Sequence, residues 1–430
     1  MRVLMFGWEF PPHISGGLGT ACYGLTRGMS HIRDLDVIFV VPKAWGDEDQ
    51  SSLRLLSAEN FPVRKKMIEM KGFLKEMTFM EIHSRLVPYM SPEEYGNIKK
   101  ESESGASANV WFNTEQIGKL KFTGKYGPDL FQEIANYALV AGAIADEQEF
   151  EIIHAHDWLT YPAGIAAKSV SGKPLVIHVH ATDFDRSGGK VNPGVFDIEK
   201  RGMQAADMII AVSNLTRNTV IEKYGIDPEK VVTVYNAVEP LEIESQPEYR
   251  KPVKEKIVTF LGRITLQKGP EYFIEAANKV LAKSNDLRFV MAGSGDMFPR
   301  MIKRAASLGI TDRFHFTGFL KGQDVYQMFA ISDLYVMPSI SEPFGISPLE
   351  AMQSNVPVII SHQSGVSEIL KHAIKVDFWD IDAMADAIYG ILHYDALSEM
   401  FKKLGKTEVD NLKWENSARH VKEIYDKVLH

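Results

Sequence analysis

The side chains best suited to chemistry gather in a few short stretches. Gly262-Arg263-Ile-Thr-Leu-Gln-Lys268-Gly269-Pro270 sets two cations five residues apart, between an apolar run and a helical one. Arginine offers a planar donor fork and lysine a compact charge, so the pair suits a diphosphate, with a solvated turn as the alternative. Pro338-Ser-Ile-Ser-Glu342-Pro-Phe344-Gly345-Ile346-Ser347-Pro348-Leu-Glu350 carries two carboxylates. Pro348 suits the first helical position with Ser347 as its cap, which puts Glu342 in a loop and Glu350 in a first helical turn. Rises of about 3.3 Å per extended residue and 1.5 Å per helical residue then leave the two carboxylates roughly 10–15 Å apart. A glycosidase pair needs ~5–9.5 Å, so this span fits opposite ends of one long ligand better.

Nearer the N-terminus, Gly16-Gly17-Leu18-Gly19 lies between a first strand and a helix. Backbone N–H groups there suit a phosphate, although a plain tight turn explains the glycines equally well. Ile153-His154-Ala-His156-Asp157-Trp158 ends another apolar run. Ligands bind beyond the carboxyl ends of strands in open α/β sheets, so His156 and Asp157 are well placed. His154 and His156 share one strand face, and His178 and His180 follow in a similar run. A metal there would need a carboxylate or a third histidine to join them, so none is expected. Asp183-Phe184-Asp185 matches an Asp-X-Asp metal pattern, but so do Asp380-Ile-Asp382 and Asp34-Leu-Asp36, and the pattern carries little weight.

Positioning these groups requires alternating strands and helices. Val3–Phe6, Val37–Val41, Ile152–Ala155, Leu175–Val179, Met208–Val212, Ile257–Leu261, Phe289–Ala292, Leu334–Met337 and Val356–Ile360 read as buried strands, and Glu271–Lys283 has a helical period. The alternation predicts an α/β protein of mostly parallel sheets. A charged, proline-bearing stretch at 240–256 reads as a linker. It suggests a first domain at 1–245 with an insertion at about 45–130, a second at 246–412 and a final helix at 413–430. Ala418, Val421, Ile424, Tyr425 and Val428 form that helix's apolar stripe. Lys65, Lys66 and Lys71 mark an amphipathic stretch in the insertion, either lipid- or partner-facing or packed with its lysines solvated.

The bulk composition narrows the function. The 430 residues are 45% hydrophobic and 24% charged, with 48 Lys and Arg against 56 Asp and Glu for a net charge of −8. That balance points away from nucleic acid. The lone Cys22 excludes an internal disulfide and a cysteine-based zinc site, and is expected to be a buried small side chain. No run approaches the ~20 apolar residues of a membrane span, so a cytoplasmic protein without an integral membrane segment is expected. Ala292-Gly293-Ser-Gly295 is a poor dinucleotide fingerprint, since Phe298 stands where the third glycine belongs.

Taken in order, the glycine loop, His154-Ala-His156-Asp157-Trp158, Arg263 with Lys268, Glu342 with Glu350, and Gln363-Ser-Gly365-Val-Ser-Glu368 resemble the retaining GT-B glycosyltransferases of family 4 and the related glycogen and starch synthases. The resemblance spans the chain except for 45–130. It implies two Rossmann-like domains facing across a cleft, with the last helix crossing back to the first. It also implies a nucleotide-sugar donor, UDP- or ADP-glucose, as substrate, with no cofactor and no metal. Arg263 and Lys268 would hold the diphosphate and Glu350 the ribose. Glu342 would face the hexose, and the Phe344-Gly345-Ile346 backbone would line the sugar and phosphate. His156 would meet the hexose beside Asp157. Gly16 and Gly17 would approach the phosphates, and His180 belongs to a His-Ala-Thr segment like that of eukaryotic glycogen synthases. Ile14 and Phe344 depart from the bacterial starch-type pattern, which has Lys and Cys there.

The leading expectation is glucose transfer to the non-reducing end of an α-1,4-glucan, with Tyr95, Trp111, Phe112 and Tyr126 as candidates to stack on sugar rings. The alternative is a lipid-linked or small-molecule acceptor. A binding protein without turnover on the same fold is argued against by His156, Arg263, Lys268 and Glu342.

Overall fold

A computed structural model of the chain describes residues 1–14, 16–63, 118–127, 129–240, 251 and 253–430. The chain divides into one compact unit of Met1–Phe184, Gly189–Asn236 and Trp414–His430, and a second of Asp185–Gly188 and Ala237–Lys413.

The first unit is built on strands β1 (Arg2–Phe6), β2 (Asp36–Val41), β3 (Arg54–Ser57), β6 (Ile152–His156), β7 (Leu175–Val179), β8 (Met208–Ala211) and β9 (Val231–Thr233). They form a seven-stranded sheet in the order β3-β2-β1-β6-β7-β8-β9, every pairing parallel. The short antiparallel pair β4 (Pro62–Val63) and β5 (Gly118–Lys119) stands apart from it. Val3 to Phe6 are 0% exposed, as expected of a central parallel strand covered on both faces. Crossovers run through α1 (Gly17–Ser30), α2 (Leu130–Glu147), α3 (Tyr161–Ser171), α5 (Pro193–Ala205) and α6 (Asn214–Tyr224), while the short α4 (Asp183–Ser187) is divided between the units at Asp185.

The second unit has strands β10 (Lys256–Leu261), β11 (Leu287–Ala292), β12 (Phe314–Gly318), β13 (Leu334–Met337), β14 (Val358–Ser361) and β15 (Ile374–Val376) in the order β12-β11-β10-β13-β14-β15. All are parallel. Its helices are α7 (Pro270–Leu281), α8 (Phe298–Ser307), α9 (Gln323–Ala330), α10 (Ser347–Gln353), α11 (Ile381–His393) and α12 (Asp395–Val409). Phe260, Phe273, Phe289 and Phe314 cluster in its core.

The last helix, α13 (Trp414–Leu429), belongs to the first unit and packs on α1. Its stripe of Ala418, Val421, Ile424 and Tyr425 is buried, while Val428 is only partly so. Gly24 and Gly28 make the approach possible. A Cβ on Gly24 would lie 2.2 Å from the Trp414 ring, and one on Gly28 would lie 2.6 Å from the Trp414 carbonyl oxygen.

Part of the stretch at about 45–130, expected as an insertion, joins the main sheet. Residues Arg54–Ser57 pair with Ile38–Val41 as the edge strand of the main sheet. Residues 64–117, which hold the basic stretch and the aromatics at 95, 111 and 112, lie outside the described residues, as does most of the linker stretch. Tyr126 is described. It is 7% exposed against Trp8 and Tyr137's neighbourhood in the core, so it offers no ring to a sugar.

Candidate active site

In the second unit the chain leaves β10 through Gly262 and Arg263, makes a short 3-10 turn at Leu266–Lys268, and enters α7. The turn docks on the segment beyond β13, where the Ile340 N–H donates to the Gln267 carbonyl at 2.8 Å. Gly269 makes the junction possible. It has φ +64, and a Cβ there would fall 2.1 Å from the Pro338 carbonyl oxygen. This docking brings Lys268 Nζ onto Glu342 Oε2, with side chains 21% and 8% exposed. Ser339 Oγ donates to the same Glu342 oxygen at 3.2 Å. Arg263 donates to Gln267 Oε1 at 3.3 Å. Two half-buried cations thus sit beyond the carboxyl end of β10, just before the N-terminus of α7. Polyanions bind well at such a place. Asp296 lies near enough to Arg263 to feel its charge, yet burial dominates and raises its carboxyl pKa.

Glu342 is anchored through its backbone as well. Its N–H donates to the Gln363 carbonyl at 2.9 Å, and its carbonyl accepts from Gly365 at 2.8 Å. Val366 donates to the Phe344 carbonyl at 2.8 Å. The Gln363–Glu368 stretch therefore serves as a brace for the Glu342–Gly345 loop. The Phe344 side chain is 3% exposed and belongs to the interior, whereas Gly345 and Ile346 are partly exposed.

The expected cap of the following helix is corrected. The helix starts at Ser347 itself, with Ile346 in the cap position and no side-chain cap bond. The Ser347 hydroxyl is instead 2.8 Å from Tyr335 Oη, and that phenol also donates to the Leu261 carbonyl at 3.2 Å. A buried tyrosine therefore took the hydroxyl that sequence spacing assigned to capping. Glu350 stands in the first turn, and burial raises its carboxyl pKa to about 7.

In the first unit, β6 and β7 end in imidazoles. His154 and His156 project from one face of β6, and the parallel register sets His178 opposite His156. The rings of His154 and His156 stack at 4.3 Å, and those of His178 and His180 at 4.4 Å. His154 and His156 are 0% exposed and His178 is 2% exposed, while His180 is partly exposed. His156 Nδ1 is 3.0 Å from His180 Nε2, and His154 Nδ1 bonds Tyr425 Oη from α13. Burial, and then the neighbouring imidazoles, hold His154, His156 and His178 well below the usual histidine pKa. Burial alone takes His180 to about 3. All are neutral near pH 7. Asp157 follows at φ +63 and 1% exposure, with its N–H on the His178 carbonyl. This left-handed backbone is sparsely populated outside glycine and marks a constrained strand end.

The glycine turn enters α1 with Gly16 at the cap position and Gly17 as the first helical residue. The carboxylate of Glu9, 7% exposed, accepts from the Gly19 N–H at 3.2 Å. An anion of the chain itself thus rests at this positive helix end, a feature the spacing of glycines did not reveal. Cys22, further along α1, is 1% exposed, and burial raises its thiol pKa. Asp183 accepts from the Asn192 N–H at 2.5 Å while its own N–H donates to Glu199, so it organises the turn into α5. Among the described residues, groups able to hold a metal are His154, His156 and His178; Cys22, His156 and His180; and the more exposed His13, Asp47 and Glu48. The third histidine that the sequence reading required is supplied by the strand register.

Arg263, Gln267, Lys268, Ser339, Glu342, Gly345 and Ile346 are therefore gathered in the second unit around one turn and its docking loop. Gln267 and Ser339 escaped the sequence reading. Their signal was faint, uncharged side chains inside the quoted stretches, yet they are only 3% and 0% exposed. In each unit the carboxyl ends of a parallel sheet carry the polar groups, and the two Rossmann-like sheets, with the last helix returned to the first unit, make up the GT-B fold.

Sequence comparison names the family. Residues 116–240 match the model of glycosyltransferase family 4 and residues 242–408 that of glycosyl transferases group 1, and the chain belongs to this group. It is 27% identical to an uncharacterized glycosyltransferase of Methanocaldococcus jannaschii over 99% of this chain and 98% of that one. It is 26% identical to the D-inositol 3-phosphate glycosyltransferase of Salinispora tropica, over 68% and 67% of the two chains. The Anabaena protein HepE, solved with UDP and glucose, superposes with a TM-score of 0.67 at 14% identity, covering 99% of this chain and all of that one. No helix among the described residues is long and apolar enough to cross a membrane.

Proposed function

We propose that the protein transfers a hexose, glucose in the first instance, from a nucleoside diphosphate sugar to a small hydroxyl-bearing acceptor, with retention at the anomeric carbon. The observation that carries the donor assignment is the pairing of Lys268 with Glu342 beside Arg263, on the turn between β10 and α7. On this reading Arg263 and Lys268 neutralise the diphosphate as it departs, a preorganised electrostatic role. Glu342 fixes Lys268 and faces the sugar, and Glu350 accepts from the ribose hydroxyls. The backbone from Phe344 to Ile346 lines the sugar and phosphate. The bond from the anomeric carbon to the diphosphate oxygen breaks, and the acceptor oxygen bonds that carbon on the same face. The acceptor proton passes to the departing phosphate.

In the first unit we assign the sugar-facing role to His180, which is partly exposed, with His156 behind it as its hydrogen-bonded partner. This amends the role expected of His156, whose ring has no exposed surface. Asp157 shapes the strand end, and the Gly16–Gly17 turn is assigned to the phosphates. A small acceptor is preferred over an α-glucan because the Salinispora relative is named for D-inositol 3-phosphate, and Tyr126, the one described residue among the proposed glucan-stacking aromatics, is in the core. HepE, solved with UDP and glucose, supports UDP-glucose as the first donor to try.

The test is to incubate purified protein with UDP-glucose or ADP-glucose and either D-inositol 3-phosphate or maltohexaose, without added divalent cation. Nucleotide release and the product's anomeric signal are then followed. Release with an α-linked product on the small acceptor is expected. Extension of maltohexaose instead would overturn the acceptor, and no donor turnover or hydrolysis with any nucleotide sugar would overturn the reading.

A further inference from the structure

We propose that His154, His156 and His178 form a buried site for a divalent transition metal, zinc by the chemistry of its donors. The geometry comes from the sheet. His154 and His156 are two apart on β6 and share a face, and the parallel register places His178 beside His156 on β7. Two nitrogen donors from one strand and a third from its neighbour stand side by side, with their rings stacked within 14–25° of parallel. The ligating atoms of the three side chains already lie within 4.8 Å of one another. Zinc–nitrogen bonds of about 2.0–2.1 Å in tetrahedral geometry place the nitrogens about 3.4 Å apart, so the proposal requires the stacked rings both to close up by roughly 1 Å and to turn out of their parallel planes as the ion enters.

Unspent hydrogen-bonding capacity points to the same ion. His154 Nε2, His156 Nε2 and both nitrogens of His178 are buried with no hydrogen-bond partner among the described residues. Buried polar atoms are rarely left so. Moreover, two of the three rings already have their other nitrogen engaged. Nδ1 of His154 meets Tyr425 Oη, and Nδ1 of His156 meets His180 Nε2. Metal-bound histidines are oriented in this way, by a partner on the nitrogen that does not bind the ion. Each Nε2 then presents a lone pair, and His156 donates from Nδ1 to His180, leaving His180 Nδ1–H as an outward donor. Three imidazoles without a carboxylate favour zinc, copper or nickel over magnesium or calcium. The site would tie β6 and β7 to α13 through Tyr425. It does not depend on the transferase reading, and its test measures metal rather than turnover.

The full-length protein, refolded with Zn²⁺ or Co²⁺ and freed of loose metal by gel filtration, should retain about one equivalent per chain, with tetrahedral visible bands in the cobalt form. Tyr425→Phe keeps the packed ring and removes the hydroxyl that orients His154, and should weaken metal affinity about 10–100-fold. His178→Phe should abolish retention; should that variant not fold, Tyr425→Phe decides. His13→Ala, which removes the exposed group with Asp47 and Glu48, should leave retention unchanged. Less than about a tenth of an equivalent in the wild type would overturn the site. So would retention that is lost in His13→Ala, or an affinity unmoved in Tyr425→Phe.

Discussion

Beyond β10 the polar groups are charged and partly exposed, Arg263 and Lys268 with Glu342 as a fixed counter-charge. At the ends of β6 and β7 they are imidazoles, three of them sealed at 0–2% exposure and kept neutral by burial. Both sets occupy equivalent places on parallel sheets. A charged end can receive a polyanion by exchanging an internal partner for a ligand. A neutral, closed end holds its geometry through ring stacking and a few hydrogen bonds, so it suits orientation more than charge compensation. The same architecture thus carries a charged end, to which we assign the donor diphosphate, and an uncharged end of stacked imidazoles.

The strongest way to break this comparison is to remove the cation. Lys268→Met leaves the Glu342 carboxylate, 8% exposed, without its lysine, and losing one partner of a buried pair costs about 3–5 kcal/mol. Denaturant unfolding of the second unit should show a loss toward the lower end of that range, since Ser339 still donates to Glu342. Donor kcat/KM should fall at least tenfold, about 1.4 kcal/mol of transition-state stabilisation. Arg263→Ala should show the kinetic loss without the unfolding effect. Full activity in both would remove the charged end from the account.

Next in size is a steric test confined to the first unit. Gly24→Leu sets a side chain where even a Cβ would sit 2.2 Å from the Trp414 ring, and overpacking of this kind costs about 1–3 kcal/mol. Calorimetry should register a lower Tm, with nucleotide binding to the second unit retained. An unchanged Tm would mean that the α1–α13 seam is loose.

Smaller again is Ser347→Ala. It deletes the hydroxyl bonded to Tyr335 and should cost about 1 kcal/mol in chemical denaturation; an effect indistinguishable from zero would return Ser347 to the surface. The smallest concerns Glu350, whose buried carboxyl has its pKa raised to about 7. It holds its proton below that pH and ionises above it, so a role as acceptor from ribose hydroxyls requires UDP affinity to rise several-fold between about pH 6 and about pH 8. Glu350→Gln should flatten the profile. The same shift has the opposite sign for folding: the unfolded carboxyl ionises near its ordinary 4.5, so stability falls as pH rises from there through about 7.

The sequence showed the central strands well because strands covered on both faces read as unbroken apolar runs; Val3–Phe6 and Leu334–Met337 are examples. It missed β3, β9 and β15, at Arg54–Ser57, Val231–Thr233 and Ile374–Val376. These are edge strands of three or four residues, two of them bearing a charge, and so short a run has no readable period. The charged site was legible because its residues are local to two motifs. Its dependence on Gln267 and Ser339 was not, since contact between a turn at 267 and a loop at 340 is a tertiary fact. The histidine cluster was half legible. Two residues apart on one strand is written in the sequence, but the register that sets His178 beside His156, and the arrival of Tyr425 from the far end of the chain, are not. Ser347 shows the reverse failure: the helix was placed one residue late, and the hydroxyl expected to cap it is drawn to Tyr335 instead.

Whether the charged end binds a diphosphate is read most directly by calorimetric titration of UDP, ADP and UMP into the wild type, Arg263→Ala and Lys268→Met. One diphosphate should bind the wild type at least tenfold more tightly than UMP, about 1.4 kcal/mol, and each variant should erase most of this margin. Equal binding of UMP and the diphosphates to the wild type, or a margin that survives both variants, would contradict it.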